Sequence, residues 1–449
     1  MERRLFLQLA TTSLFAQEQG RLHHAPKAKR VIQLFMSGAA SQCDLFDYKP
    51  ELIRKAGDKF DPGGKVELFQ SKPGVVMPSP WDWQPAGASG KMISSLLPAF
   101  QKQVDKVAFL HGMVSKSNIH GPATFMQNTG FILPGFPSFG AWISYALGSA
   151  NENLPTLVVL PDPRGFPPNG PANWGNGFLP ASHQAMMVRA GTPEPIADLA
   201  RPENNSEAQE AEGLSLLQKF NQQHSAARTG DSRLAARIAS YEMAAKLQLS
   251  APEVLDLSSE SPATRKLYGL DHPMTEDFGR RCLLARRMVE RGVRFVQVWS
   301  GADNGFPRRN WDSHENLKKD HGELATSIDV PMAGLLADLE ARGLLEDTIV
   351  HWTTEFGRMP CSQGSLGRDH NPFGFTQWLA GGGIRGGVSY GATDEWSYKA
   401  VDKPTYCYDV HATLLHQLGL DHTRVSVRNN GIDRRLTDVH GHVIQELLA

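Results

Sequence analysis

Cysteine is scarce. The 449 residues hold four, Cys43, Cys282, Cys361 and Cys407, with no CxxC pair among them. That spacing excludes a zinc ribbon, a thioredoxin-type redox motif and a disulfide-dense scaffold. One or two disulfides stay open if the chain is exported. An excess of one charge is also missing. Lys+Arg number 46 and Asp+Glu 47, a net charge of −1, so nothing global argues for a nucleic-acid partner. No run reaches the ~18 apolar residues that span a bilayer, and no membrane span is expected. Internal repeats and low-complexity tracts are absent too. What is present is ordinary for a folded chain, 41% hydrophobic and 21% charged, which excludes a wholly disordered or fibrous protein. The length admits two or three domains, or one large α/β domain with a full core.

The chain opens MERRLFLQLATTSLFAQEQ. Arg3-Arg4, then Phe6-Leu7, then a short apolar run, is the order of a twin-arginine export signal, and Ala16 is a candidate cleavage position. Residues 1–28 are read as signal and linker, and 29–449 as one domain exported to the periplasm or beyond. Short apolar strands are expected at 31–36, 107–110, 157–160, 293–299, 348–353 and 375–379. Helices are expected at 92–104, 278–291, 324–342 and 410–418. Residues 55–90 read as a surface excursion, 161–180 as a Pro/Gly-rich functional loop and 193–257 as a helical insertion. GGGIRGG at 381–387 reads as a tight turn, since a phosphate loop would need a following Lys-Ser/Thr. Strands alternating with helices predict an α/β fold with a mostly parallel central sheet. Such sheets collect ligands beyond the C-terminal ends of their strands.

His and Asp concentrate at those ends. Ser41, Cys43, Asp44 and Asp47 follow the first strand; His111 and His120 follow the second. Asp303, Asp312, His314, Asp320 and His321 follow 293–299, and Glu355, Arg358, Asp369 and His370 follow 348–353. Mixed imidazole and carboxylate donors suit a divalent metal ion (zinc, manganese or calcium), and each ligating imidazole needs a partner on its far nitrogen. Asp44, Asp312, His314, Glu355, Asp369 and His370 are therefore the candidate metal ligands, with the first and fifth the weaker. Asp312 also reads as a helix cap and Asp369 as a turn residue. His111 reads as an ordinary buried histidine, and His411 and His416, on an apolar helix with Asp409 nearby, as core or surface positions.

Several blocks together carry a resemblance. WDSHENLKKDH, EFGRMPCSQGSLGRDHNPFGFTQWLAGGGIRGGVSYGATDE, DVHATLLHQLGLDH, SGAASQCDLFDYKPEL, HGPATFMQNTG and PSFGAWISYALGSANENLP span nearly the whole chain after about residue 28. They resemble the sulfatase-like "domain of unknown function 1501" family, placed in the alkaline phosphatase-like superfamily and often preceded by a twin-arginine signal. The resemblance implies a three-layer sandwich around a mostly parallel sheet. It also implies roles. HGPATFMQNTG is similar to the sulfatase signature CxPxRxxxxTG, with Pro122, Thr129 and Gly130 in register. His120 then stands at the nucleophile and Thr124 at the Arg. Glu355 stands at a metal-binding Asp, Phe356 at a metal-binding His, and His370 near the final metal His.

The expectation that follows is an exported metal-dependent hydrolase of sulfate or phosphate esters, on a small molecule or a glycan. His120 attacks or serves as base, and Arg358 stabilises developing negative charge. The first alternative is a binding or scaffold protein that keeps the fold without turnover. The second is a phosphomutase-type isomerase, which needs a phosphorylatable residue at His120.

Overall fold

The apolar run Arg30–Met36 forms a strand buried from its second residue onward, and the molecule is built outward from it. The computed structural model describes residues 22–69, 71–151, 153–196, 206–226, 238, 253–302 and 309–449. The principal strands in chain order are β1 (Arg30–Met36), β2 (Val107–Met113), β3 (Leu157–Leu160), β4 (Met186–Met187), β5 (Phe295–Ser300), β6 (Thr348–Thr353), β7 (Gly357–Gln363), β8 (Gly367–Asn371), β9 (Phe375–Ala380) and β10 (Val388–Tyr390). Eight of them make one sheet, in the order β10-β2-β9-β6-β1-β5-β3-β4. β1 lies parallel between β5 and β6, with Val31 opposite both Phe295 and Ile349. β9 runs antiparallel to β6 and β2, so the sheet is mixed but mostly parallel.

Successive β1 side chains alternate between two cores, as a strand requires. Ile32, Leu34 and Met36 join the cluster that holds α3 (Glu276–Glu290) and α4 (Leu317–Ala341). Val31 joins the cluster that holds α2 (Phe139–Leu147) and α5 (Cys407–Gln417), with α1 (His120–Thr129) contributing Ala123. Helices therefore cover both faces.

Buried amides fasten α1 to its face. Gln297 Nε2 donates to Gln33 Oε1 (2.6 Å) and to Asn128 Oδ1 (2.7 Å). Gln377 Nε2 donates to Gln127 Oε1 (3.0 Å), and His351 bridges Gln33 and Gln377.

Two element boundaries depart from expectation. Residues 92–104 are not one helix. Lys91–Ser94 pairs with Trp83–Ala86 as a hairpin, and a 3-10 segment covers Phe100–Lys106. Pro98 explains the break, since its ring and missing N–H do not fit a helix interior. α4 begins seven residues before its expected start at Leu324, because the Asn316 side chain accepts from Lys319 N (3.1 Å) and caps a polar first turn.

The 161–180 stretch is irregular apart from a 3-10 turn at Gly170–Trp174. Gly381, Gly382, Gly383 and Gly387 all take positive φ, as the tight-turn reading requires. Within the 193–257 insertion, Glu207–Ala226 is helical. The export segment through residue 21 and Asp303 lie outside the described residues. All four cysteines are free and buried. Among the described residues no helix is long and apolar enough to cross a membrane.

Candidate metal centre

The C-terminal ends of β1, β5 and β6 meet at the loops that carry the histidines. Two glycines let these loops close on one another. Gly38 has φ +107°, and a Cβ there would lie 2.5 Å from Trp311 N. A Cβ on Gly367 would lie 1.8 Å from His314 O. Backbone thus touches backbone on either side of Asp312 and His314. His321 ties the layers together, accepting from Ser41 N at Nε2 (3.0 Å) and reaching Ser313 Oγ through Nδ1 (2.6 Å). The β7–β8 hairpin sets His370 opposite Arg358.

Four side chains converge on one point. Asp312 Oδ1 lies 3.1 Å from His120 Nε2, 2.8 Å from His314 Nε2 and 3.2 Å from His370 Nε2. His314 Nε2 and His370 Nε2 are 3.0 Å apart. Each ring is held from behind by an oxygen. His120 Nδ1 pairs with Glu355 Oε1 (2.6 Å), His370 Nδ1 with Asn118 O (2.6 Å), and His314 Nδ1 with Gln363 Oε1. The three oxygen acceptors fix the ring orientations, with every Nε2 turned toward the same carboxylate. Two donor sets result, His120/Asp312/His370 and His314/Asp369/His370, joined at His370.

These groups perturb one another. Burial works against ionised Asp312, but the Arg358 guanidinium (2.5 Å) and the three imidazoles hold its pKa well below the carboxylate range. Burial also opposes a charged His120, yet the Asp312 and Glu355 carboxylates raise its pKa. Burial, with His120 and Arg358 adding to it against the pull of Asp312, takes His370 down to about 3. Phe356 packs against both His120 and His370, with ring centroids at 5.0 and 4.8 Å. Phe69 stacks on His370 at 4.7 Å.

The other expected residues take different places. Glu355 accepts from Gly38 N (2.8 Å) as well as from His120, and so stands behind the donor ring. Arg358 is fully buried and donates to the carbonyls of Gly38, Ala39, Trp311 and Arg368 besides Asp312. Asp44 gives both oxygens to Arg368 (2.8 and 3.0 Å) and belongs to neither donor set. Asp369 accepts from Ser71 N and Oγ (3.1 and 2.6 Å). Asp47 accepts from Thr393 Oγ1 (2.5 Å) and pairs with Lys49, while Asp409 closes the capping box of α5. His411 is buried in α5, and His416 lies 4.4 Å from the His24 ring.

Gln363, the Asn118 carbonyl, Phe69 and Ser71 belong to the site without a signal in the sequence. Only the turn Gly364-Ser365, with Gly364 at φ +60°, marks the β7–β8 hairpin that delivers Gln363.

A divalent ion fits the His120/Asp312/His370 set. A tetrahedral sphere with bonds near 2.05 Å separates its donors by about 3.3 Å, close to the 3.1 and 3.2 Å between Asp312 Oδ1 and these two Nε2 atoms. Two imidazoles with one carboxylate suit a borderline ion such as zinc.

The model of the family described as "Protein of unknown function (DUF1501)" matches residues 28–448. No curated protein matches the chain. Among solved structures it is similar to the PsFucS1 sulfatase from Pseudoalteromonas sp., at 12% identity and TM-score 0.37, covering 94% of this chain and 72% of that one. It is also similar to the lipoteichoic acid synthase LtaP from Listeria monocytogenes, at 12% identity and TM-score 0.38, covering 89% and 74%. A third is the C-terminal periplasmic domain of EcEptC from Escherichia coli in complex with Zn, at 8% identity and TM-score 0.37, covering 90% and 87%.

Proposed function

The chain belongs to the family described as protein of unknown function DUF1501, and from that premise we propose that it is a metal-dependent hydrolase of sulfate or phosphate esters. One observation carries the reading. Three imidazole Nε2 atoms, each with its Nδ1 held by an oxygen, converge on a single Asp312 oxygen. Imidazole nitrogens gathered around one carboxylate oxygen form a donor set that a divalent cation would fill.

His120, Asp312 and His370 would hold the ion, and a three-donor protein set is the kind that admits substrate or water. A divalent ion there supplies Lewis-acid chemistry, polarising an ester oxygen and lowering the pKa of water. Glu355 and the Asn118 carbonyl fix the tautomers of His120 and His370, and Arg358 fixes Asp312. With Nδ1 on Glu355 and Nε2 aimed at Asp312, His120 serves as a metal donor in preference to an attacking nucleophile. The imidazole-rich set favours zinc over manganese and calcium, which prefer oxygen ligands. Arg3-Arg4 followed by Phe6-Leu7 supports export on the twin-arginine route, with 29–449 as the folded domain and a small-molecule or glycan ester as substrate.

The placement of His314 favours a second reading. It lies 2.8 Å from Asp312 Oδ1, and as a fourth donor it would close the coordination sphere of a binding protein without turnover. Elemental analysis of the purified chain beside His370→Ala, followed by a panel of sulfate and phosphate esters, separates the two. Near-stoichiometric metal lost in the variant, with metal-dependent turnover, supports the hydrolase. Bound metal without turnover supports the closed site. A metal-free protein after soaking with zinc, manganese and calcium overturns both.

A further inference from the structure

A cavity of about 180 Å³ opens between the turn after the Gln42–Leu45 helix, the Trp83–Ala86/Lys91–Ser94 hairpin and the end of β2. Its walls include Phe46, Tyr48, Lys91, Phe109 and His111, and it shares no residue with the metal donors. We propose that this cavity binds a small planar carboxylate, an aromatic acid of one ring, with Lys91 and His111 on the carboxylate and the aromatic walls on the ring.

Size and shape set the ring. The volume slightly exceeds the ~150 Å³ that accommodates benzene in an apolar cavity. Phe109 and His111 are two apart on β2 and share a face. Their rings are stacked, parallel within 5° with centroids 5.6 Å apart, an orientation that a further planar ring can match.

Charge sets the head group. Lys91 Nζ donates to Ser389 Oγ (2.6 Å) and makes no ion pair among the described residues. It is partly removed from water, where an unpaired ammonium is costly. His111 uses Nδ1 on Thr376 Oγ1 (3.1 Å), and its Nε2 has no partner among the described residues. Burial lowers the His111 pKa to about 4, so the ring is neutral near pH 7. In the tautomer with Nε2 protonated, which Thr376 Oγ1 supports by donating to Nδ1, this nitrogen would give a carboxylate its second hydrogen bond. Asp47, the one acid on the wall, is already engaged by Lys49 (3.2 Å), Thr393 and Ser397. Among the described residues the one charge left without an ion pair on this wall is the Lys91 ammonium, and it calls for an anion.

The test is calorimetric titration of the full chain with benzoate and with benzamide, its neutral analogue. Benzoate binds and benzamide binds at least about tenfold more weakly, the loss expected when a hydrogen-bonded charge is removed. Lys91→Met weakens benzoate by a similar factor, while Lys91→Arg and His370→Ala retain it. Three results overturn the proposal: no benzoate binding, equal affinity for benzamide, or binding that survives Lys91→Met. Loss of binding in His370→Ala also overturns it, because the anion would then sit at the metal centre. Lys91 lies on a partly exposed hairpin, and an unchanged melting temperature in both lysine variants confirms that they fold.

Discussion

Glu355 Oε1 receives both Gly38 N and His120 Nδ1, and Thr354 Oγ1 lies 3.2 Å from Oε2. A carboxylate so used raises the basicity of the ring in front of it and fixes its tautomer. Glu355→Gln therefore weakens metal affinity by about 10–100-fold while leaving the fold intact. Competition against a chromophoric chelator reads this directly, and an unchanged dissociation constant would mean that Glu355 does not orient His120. A second residue-scale consequence concerns acid. Burial takes His351 and His411 down to about 4 and about 3. The native rings stay neutral where unfolded ones, near 6.5, take up a proton, so this stability is complete above pH 6.5 and is lost as pH falls toward 4. Each ring contributes a slope of about 1.4 kcal/mol per pH unit inside that window. His351→Gln, which can still bridge Gln33 and Gln377, should flatten the fall of the urea midpoint; parallel curves for the two proteins would refute the assignment. At this scale residue type marked which side chains gather, His314, His370 and Asp312 among them, but not the part each takes: Asp44 pairs with Arg368 and Glu355 stands behind His120. His and Asp at strand ends announce ligands by residue type alone. Whether Glu355 faces the metal or faces His120 depends on angles that only the assembled loops define.

The loops are assembled by close backbone contacts. Because a Cβ on Gly367 would lie 1.8 Å from His314 O, Gly367→Ala forces β8 and the His314 loop apart. Asp369 and His370 are on β8, so the variant moves them away from His314 and Asp312 and opens both donor sets. The expected result is metal affinity reduced by at least about tenfold, the scale of a misplaced ligand shell, with far-UV circular dichroism unchanged. Native affinity in the variant would show that the loop absorbs the methyl group. On the opposite side, α1 carries His120 at its first position and is pinned by Gln127 and Asn128 to amides on β9 and β5. Gln297→Leu strands the Asn128 carbonyl and the Gln33 side chain, a cost of about 1–3 kcal/mol per orphaned group. Hydrogen exchange in α1 should accelerate accordingly, and exchange rates equal to wild type would refute the clamp. Periodicity found α3, α5 and β6 within a few residues, since their apolar faces are continuous. It passed over α1, α2 and the β7–β8 hairpin. α1 is buried on nearly every side and opens with His-Gly-Pro, and the hairpin is buried on both faces, so neither shows the alternation a surface element would.

Across the whole molecule, the alternation of apolar strands and helices was enough to give a mostly parallel sheet with covered faces, because right-handed crossovers leave few other arrangements. The sequence does not encode where the excursions settle. Residues 55–90 read as surface, yet Phe69 stacks on His370 and Ser71 holds Asp369, so this segment returns to the site. One centre therefore draws on β1, α1, the loop before α4, the β7–β8 hairpin and the excursion. An ion that binds only when all of them are in place stabilises the folded chain by mass action. At free zinc one hundred times the dissociation constant, the gain is about 2.7 kcal/mol. The melting temperature of the chelator-stripped protein should rise on titration with zinc and saturate, and His370→Ala, which removes the donor common to both sets, should abolish the rise. Phe69→Ala separates the two coordination states. If the Phe69 ring only covers a sphere already closed by His314, the variant binds metal faster and melts at the same temperature. If the ring borders an open position, the variant also changes the Michaelis constant for an ester substrate. A zinc-dependent shift of equal size in His370→Ala would place the stabilising ion elsewhere and remove the metal centre from these loops.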